Sequence, residues 1–477
     1  SHANCWGGPS VLEPAPMTHT TVTVDDTYPA SDRLPRQLGV ASMSALLVGI
    51  TIGSGIFRVP STVAAELGSV GGAAVVWIVG AAITLAGAVP LVALTAALPR
   101  AGGAYVSLRE AYGPLVAFLF GWVKLIVTGP AALAAIALIF AEYARAFTPL
   151  TDRQVQLVAG ALLVVLTAAN IRSVNWSAAL QNASTVAKVI VLAALSLLIF
   201  VLGDPSRGAL AQHVDWSRIT LHGFWTTLIV VLWTYTGWVD ITYVAGEVRD
   251  PSRTYPRALL SGMALIVFVY LLVNAAYLYV LPIPAMAKST LVAAAAAEGV
   301  LGSRGASLVA ALVMVSTFGS LNGSILTSPR VFFAMADDGL FFRSVASVHP
   351  RYRTPQVALV VYLVLGLAGV ATRTFEQLAE LFVLGAWPFY ALAVGAVFVV
   401  PRRRPELAAL CRTWGHPFLP GAFLLVSAVM LANAVVQRPL EMAISVGIIA
   451  LGVPVYYFWR GTYTGGVVPQ PAAPVEQ

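Results

Sequence analysis

The sequence predicts an all-α membrane protein of twelve transmembrane helices, with helices 1 and 6 broken near the middle of the membrane. Three observations carry that reading. Of the 477 residues, 58% are hydrophobic and only 10% charged, against about 25% charged in soluble chains; the mean hydropathy is +0.82. The first apolar span contains Gly49-Ile50-Thr51-Ile52-Gly53-Ser54-Gly55-Ile56-Phe57-Arg58-Val59-Pro60, a stretch built to stop being a helix. A second interruption, Thr236-Gly237-Trp238, lies five spans later. An odd offset makes the second copy run in the opposite direction, the pattern of an inverted repeat.

Taken in order, residues 1–36 are polar and Thr-rich, with Asp25, Asp26 and Asp32, and read as a disordered tail without a signal peptide. Helix 1 then runs from Leu38 to Ile50, roughly 20 Å at 1.5 Å per residue, whereas a bilayer core needs about 30 Å. Glycine weakens a helix by roughly 1 kcal/mol relative to Ala, so Gly53 and Gly55 favour a break before Ile56. Backbone freed at that depth is tolerated only where it lines a cavity or is buried in protein. The start of the second half-helix carries positive character and suits an anion such as a carboxylate. Broken helices of this kind build substrate sites in secondary transporters. A second reading of the same residues is a small-residue face, Gly49, Gly53 and Ser54, on which intact helices pack.

The apolar spans fall at roughly 37–66, 70–98, 112–146, 154–172, 177–202, 221–247, 256–282, 306–336, 355–372, 376–400, 418–436 and 439–460. An Ala-rich piece, Leu291 to Glu298, predicts a short helix in the loop before helix 8. With the N-terminus inside, 17 Lys and Arg fall on the inner side, 8 on the outer side and 3 within spans. That bias predicts both termini in the cytoplasm.

The three within spans are Arg58, Lys124 and Lys188. Lys188 lies about 11 residues from either end of helix 5, roughly 16 Å, too far for its stem to reach water. A lysine there costs on the order of 3 kcal/mol, so it must face the bundle interior and find carbonyls or hydroxyls. Its ammonium can stand where a sodium ion would otherwise bind, or it can titrate. Asp240 lies just past the second interruption; it reads either as a contact for a substrate amine or as a hydrogen-bonded structural carboxylate. Arg58 is expected at an outer vestibule and Lys124 towards the inner boundary, with no role assigned to either.

Other classes fit poorly. Cys5 and Cys411 are the only cysteines, which implies neither a disulfide framework nor a metal cluster. All six histidines fall in tails, loops or span ends, and an intramembrane enzyme needs a nucleophile–base pair or a metal. No repeated pore signature of a channel appears.

Specific motifs then point to a family. Gly53-Ser54-Gly55-Ile56-Phe57 with Pro60 resembles the helix-1 signature of the amino acid–polyamine–organocation superfamily. Tyr235-Thr236-Gly237-Trp238, followed by Glu247 and by Asp250-Pro251-Ser252-Arg253-Thr254-Tyr255-Pro256, is similar to helix 6 of its L-type amino-acid transporter branch. So is Phe318-Gly319-Ser320-Leu321-Asn322-Gly323-Ser324, running into Ser328-Pro329-Arg330. The resemblance covers nearly all of residues 37–460.

It implies a LeuT-like fold: a first five-helix repeat over 37–202, an inverted second over 221–400, helices 11 and 12 over 418–460, and a disordered tail over 461–477. It implies sodium-independent transport of free amino acids, neutral L-amino acids foremost, by alternating access and as an exchanger, in an inner or plasma membrane. Proton-coupled symport, and transport of cationic amino acids or polyamines, are the alternatives. Carried over by position, N–H groups of Ser54, Gly55 and Ile56 hold the α-carboxylate, and carbonyls of Thr51, Trp233 and Thr236 hold the α-amino group. Trp233 is expected as an aromatic outer gate, Asp240 as a further substrate contact and Lys188 as the substitute for sodium. No cofactor or metal is implied. The chain departs from the L-type pattern in its acidic Asp240, in Gly129-Pro130 where helix 3 carries Arg-Pro, and in Lys124 where a Glu is usual. The loop Phe147 to Gln154 lacks the cysteine through which animal members bond a heavy chain, so no disulfide-linked partner is expected.

Overall fold

Two helices, α1 (Val40–Thr51) and α2 (Gly55–Leu67), are separated by a three-residue break and meet at a 44° bend. The break expected at Gly53-Ser54-Gly55 is therefore present. The computed structural model describes residues 34, 36–211, 216, 219–289, 292–372, 375–411, 413–437 and 439–463. The tails expected over 1–36 and 461–477 lie outside the described residues, except for Leu34, Arg36 and a final helical turn that continues to Tyr463.

Local chemistry sets most of the remaining boundaries. Gly68 ends α2 in the left-handed region, φ 56°, where glycine carries no Cβ penalty. The Ser69 hydroxyl oxygen then accepts from the Gly72 N–H at 3.5 Å and starts α3 (Val70–Ala97). After α4 (Ala104–Tyr112), a long span is built from α5 (Pro114–Val123), a π-helical turn Lys124–Thr128, and α6 (Gly129–Tyr143). π-turns recur at functional sites because they re-aim the side chains they carry. A capping box of Thr151 and Gln154 opens α7 (Asp152–Arg172), and α8 (Val174–Leu202) follows.

The Thr220 hydroxyl oxygen accepts from the Gly223 N–H at 3.0 Å and opens α9 (Leu221–Thr234). The chain leaves helical geometry at Tyr235 and resumes in the short α10 (Asp240–Tyr243). The second interruption thus spans Tyr235 to Val239, slightly wider than Thr236-Gly237-Trp238. Then come α11 (Pro251–Val280), α12 (Ile283–Lys288) and α13 (Val292–Leu301); α13 is the Ala-rich piece expected before helix 8. The rest are α14 (Ser303–Thr327), α15 (Pro329–Asp337), α16 (Gln356–Thr372), α17 (Phe375–Arg403), α18 (Ala408–Cys411), α19 (Phe418–Gln437) and α20 (Pro439–Tyr463).

The chain is a multi-pass, all-helical membrane protein. Among the described residues, nine helices are long and apolar enough to cross a bilayer, and ten spans result if α1 and α2 count as one. The spans expected at 221–247 and 355–372 correspond to α9, with 14 residues, and α16, with 17. At 1.5 Å per residue they reach roughly 21 and 26 Å, short of the about 30 Å core. Helix α9 is short because the chain breaks at Tyr235.

Burial separates the centre of the bundle from its rim. The most apolar windows of Pro114–Ala146 and Gly305–Asp337 are 78% and 72% buried, but those of Phe418–Val436 and Pro439–Trp459 only 28% and 17%. Helices α19 and α20 therefore lie at the rim.

Candidate functional site

The two breaks face one cavity. Thr51, Gly53, Ser54 and Gly55 line it from the first break, and Trp233, Thr234, Thr236 and Asp240 from the second. Lys124, Ala132 and Ile136 close it from the π-turn and α6, Ser320, Ser324 and Ser328 from α14 and its junction with α15, and Phe382 from α17.

Two glycines let the breaks approach. A Cβ on Gly55 would stand 2.5 Å from Thr234 Cγ2 and 2.9 Å from its Cβ, and a Cβ on Gly237 would collide with the Thr51 hydroxyl. Tyr270 on α11 locks the arrangement. Its hydroxyl oxygen lies 2.7 Å from the Thr51 carbonyl oxygen and 2.8 Å from that of Thr234, so one buried phenol spans the C-terminal ends of α1 and α9. These are the ends where unsatisfied carbonyls concentrate.

At the start of α2 the backbone is open. The N–H groups of Ser54, Gly55 and Ile56 donate no hydrogen bond among the described residues; the first to find an acceptor is that of Phe57, to the Ser54 carbonyl at 3.2 Å. Three free donors at a helix start are the kind of group that can hold an anion. Ser54 and Gly55 line the cavity, while the side chain of Ile56 is wholly buried and does not.

The carbonyls differ among themselves. That of Thr51 already accepts from Tyr270 and from the Gly53 N–H at 2.9 Å. That of Trp233 accepts from the Thr236 hydroxyl at 2.7 Å and the Thr236 N–H at 3.1 Å. The Thr236 carbonyl accepts none among the described residues, and the Thr51 hydroxyl is buried without a partner there. The half-buried Trp233 ring lies at the cavity wall.

Lys188 sits behind the first break, fully buried. Its ammonium donates to the carbonyls of Gly49 at 2.8 Å, Ile52 at 2.8 Å and Ser316 at 2.7 Å, and lies 3.2 Å from the Ser320 hydroxyl oxygen. This is the set of carbonyls and hydroxyls that the sequence requires of a mid-membrane lysine. Ser316 and Ser320 join the nest directly: their hydroxyl oxygens lie 3.0 Å from Ile52 O and 2.7 Å from Gly49 O.

Lys124 corrects an expectation. It does not run to the inner boundary; it is buried at the cavity wall, with Nζ 3.5 Å from Asp240 Oδ1 and 5.0 Å from the centre of the Tyr243 ring. The π-turn explains this, because the extra residue swings Lys124 off the face that a continuous α-helix would give it. Asp240 is buried in the same pair. Arg58 is half-buried in the second turn of α2 and does not line the cavity.

Sequence reasoning missed Tyr270, the Lys124–Asp240 pair and the serine row. The row was discoverable: Ser316, Ser320, Ser324 and Ser328 recur every four residues, which puts them on one helix face. The other two depend on tertiary contacts.

Comparison with known proteins identifies the family. The amino acid permease family profile matches residues 38–458. The Bacillus subtilis serine/threonine exchanger SteT is 28% identical over 432 residues, covering 89% of this chain and 97% of that protein. The large neutral amino acids transporter small subunit 2 of Oryctolagus cuniculus is 31% identical, covering 90% of this chain and 81% of its own length. The b(0,+)-type amino acid transporter 1 of Rattus norvegicus is 28% identical, covering 91% and 90%. The chain belongs to the amino acid permease family, within the L-type-like part of the amino acid–polyamine–organocation superfamily, and is a transporter rather than an enzyme.

Proposed function

We propose that the protein is a sodium-independent exchanger of neutral L-amino acids that works by alternating access. The observation that carries this reading is Lys188. Four oxygens of the kind that coordinate sodium, from Gly49, Ile52, Ser316 and Ser320, are already taken by its ammonium. A second cation there would meet a fixed like charge and find its ligands occupied.

In this reading the open N–H groups of Ser54, Gly55 and Ile56 take the α-carboxylate. The Thr236 carbonyl takes the α-ammonium first; those of Thr51 and Trp233 join once Tyr270 or Thr236 yields. Trp233 closes the outer side, and Asp240 lies on the side-chain end of the cavity. The fold is read as two inverted five-helix repeats, 37–202 and 221–400, followed by two peripheral helices, with both termini cytoplasmic in an inner or plasma membrane. The pairing of break with break across one cavity, and the 17-to-8 excess of inner Lys and Arg, support it. The cysteine-free loop between α6 and α7 supports operation without a disulfide-linked heavy chain. The names of the bacterial exchanger and of the large neutral amino acids transporter subunit point to the same substrate class.

The test is uptake of labelled amino acids into sodium-free proteoliposomes, empty or preloaded, with and without an inward proton gradient. Uptake that needs internal amino acid and ignores the gradient is expected. Uptake into empty vesicles that grows with the gradient would replace exchange by proton symport. Absence of uptake by folded protein under every condition would overturn the substrate class.

A further inference from the structure

Lys124 and Asp240 are the only charged side chains lining the cavity among its described residues, and they face each other at 3.5 Å. They come from different walls. Lys124 projects from the π-turn between α5 and α6, and Asp240 from the end of the second break, at the first position of α10. Both are more than nine-tenths buried. A buried charge persists only when paired, and here each is the other's counter-ion. Tyr243 adds an aromatic face beneath the ammonium at 5.0 Å. The Ser324 and Ser328 side chains, also cavity-lining, supply hydroxyls but no charge.

We propose that the Lys124–Asp240 pair is a charge filter that sets substrate specificity by excluding cationic and anionic side chains alike. This rests on the amino-acid transport reading and deepens it. A cationic side chain entering the cavity approaches Asp240 only by also approaching Lys124, and an anionic one meets the reverse. Neither finds an unpaired opposite charge, and both lose water on entry. A neutral side chain leaves the pair intact. Removing one member leaves the other buried, unpaired and facing the substrate. The filter then becomes an attractor for the opposite charge.

The experiment is competition and uptake in proteoliposomes with wild type, Lys124→Met, Asp240→Asn and the charge-reversed pair Lys124→Asp/Asp240→Lys. Alanine, lysine and glutamate are the probes. Wild type is expected to admit alanine at least about tenfold better than either charged probe. Lys124→Met is expected to raise the lysine-to-alanine ratio by about tenfold or more, Asp240→Asn the glutamate-to-alanine ratio, and the reversed pair neither. Single variants that keep alanine uptake with unchanged ratios would overturn the filter. Should the single variants fail to fold, wild type still decides: uptake of lysine or glutamate as good as alanine overturns the proposal. A wild type that transports none of the three, nor any other amino acid, instead fails the transport reading itself.

Discussion

The ammonium of Lys188 lies 2.8 Å from the carbonyl oxygen of Gly49, a residue 139 positions earlier and one turn before the first helix break. The same ammonium holds the carbonyl of Ile52, the residue at which α1 ends. A side chain from α8 therefore fixes where α1 stops. Replacement by Met leaves three buried carbonyls without that donor, each at a cost of about 1–3 kcal/mol, partly offset by Ser316 and Ser320. Lys188→Met is expected to abolish transport and to lower the melting temperature in detergent by several degrees. Uptake within twofold of wild type, with an unchanged melting temperature, would show that the nest is not what shapes the break.

Tyr270 makes a narrower prediction. Its ring packs edge-on against Trp77 at 5.3 Å, and only its hydroxyl reaches the two helix ends. Tyr270→Phe keeps the packing and frees the carbonyls of Thr51 and Thr234. Folding should survive, because each carbonyl is near a cavity that can admit water. Exchange rates should fall about tenfold, from misplacing the half-helix ends by a fraction of an ångström. A rate series that tracks melting temperature instead would assign Tyr270 to stability alone.

Much of this was legible in the sequence, and particular residues show why. Gly53, Ser54 and Gly55 announce a break once they are paired with the second interruption at Thr236-Gly237, and Lys188 announces a buried oxygen nest because a charge at that depth has no alternative. Lys124 was not legible. Its placement depends on a single extra residue in the helical turn Lys124–Thr128, which hydropathy does not mark. Tyr270 was hidden for a different reason: a tyrosine in a span carries no sequence mark separating a bridging hydroxyl from a ring at the interface. The extents of α9 and α16 were legible: α9 stops next to the expected interruption and α16 matches the span at 355–372.

At Gly55 the closeness of the two breaks becomes testable. A methyl group there meets the Thr234 side chain at 2.5 Å, and overpacking of this kind costs about 1–3 kcal/mol. Gly55→Ala should weaken substrate binding, raising the apparent KM about tenfold, because the displaced N–H groups of Ser54 and Gly55 no longer converge. Thr234→Ser removes the offending Cγ2. The double variant is expected to recover part of the loss in KM. Equal defects in the single and double variants would mean that the harm comes from the changed backbone at Gly55 rather than from contact with Thr234.

The last prediction concerns the end of the bundle where the chain enters α1. Arg330 Nε and Nη2 donate to the two carboxylate oxygens of Glu247 at 2.8 and 3.3 Å, with both residues essentially inaccessible. The Glu247 carbonyl oxygen also accepts from the N–H groups of Gln37 and Leu38, so the pair ties α15 to the second broken span and to the entry of α1. Breaking a buried pair by removing one partner costs about 3–5 kcal/mol, whereas replacing both by apolar groups of similar size is often neutral. Glu247→Leu and Arg330→Met should each lower the melting temperature more than the double variant does. Transport should separate from stability: the double variant is expected to fold yet exchange slowly, because the side-chain tether between α15 and the second broken span is gone. Additive losses in melting temperature would show that the two side chains act independently, and full-speed exchange by the folded double variant would remove the pair from the transport cycle.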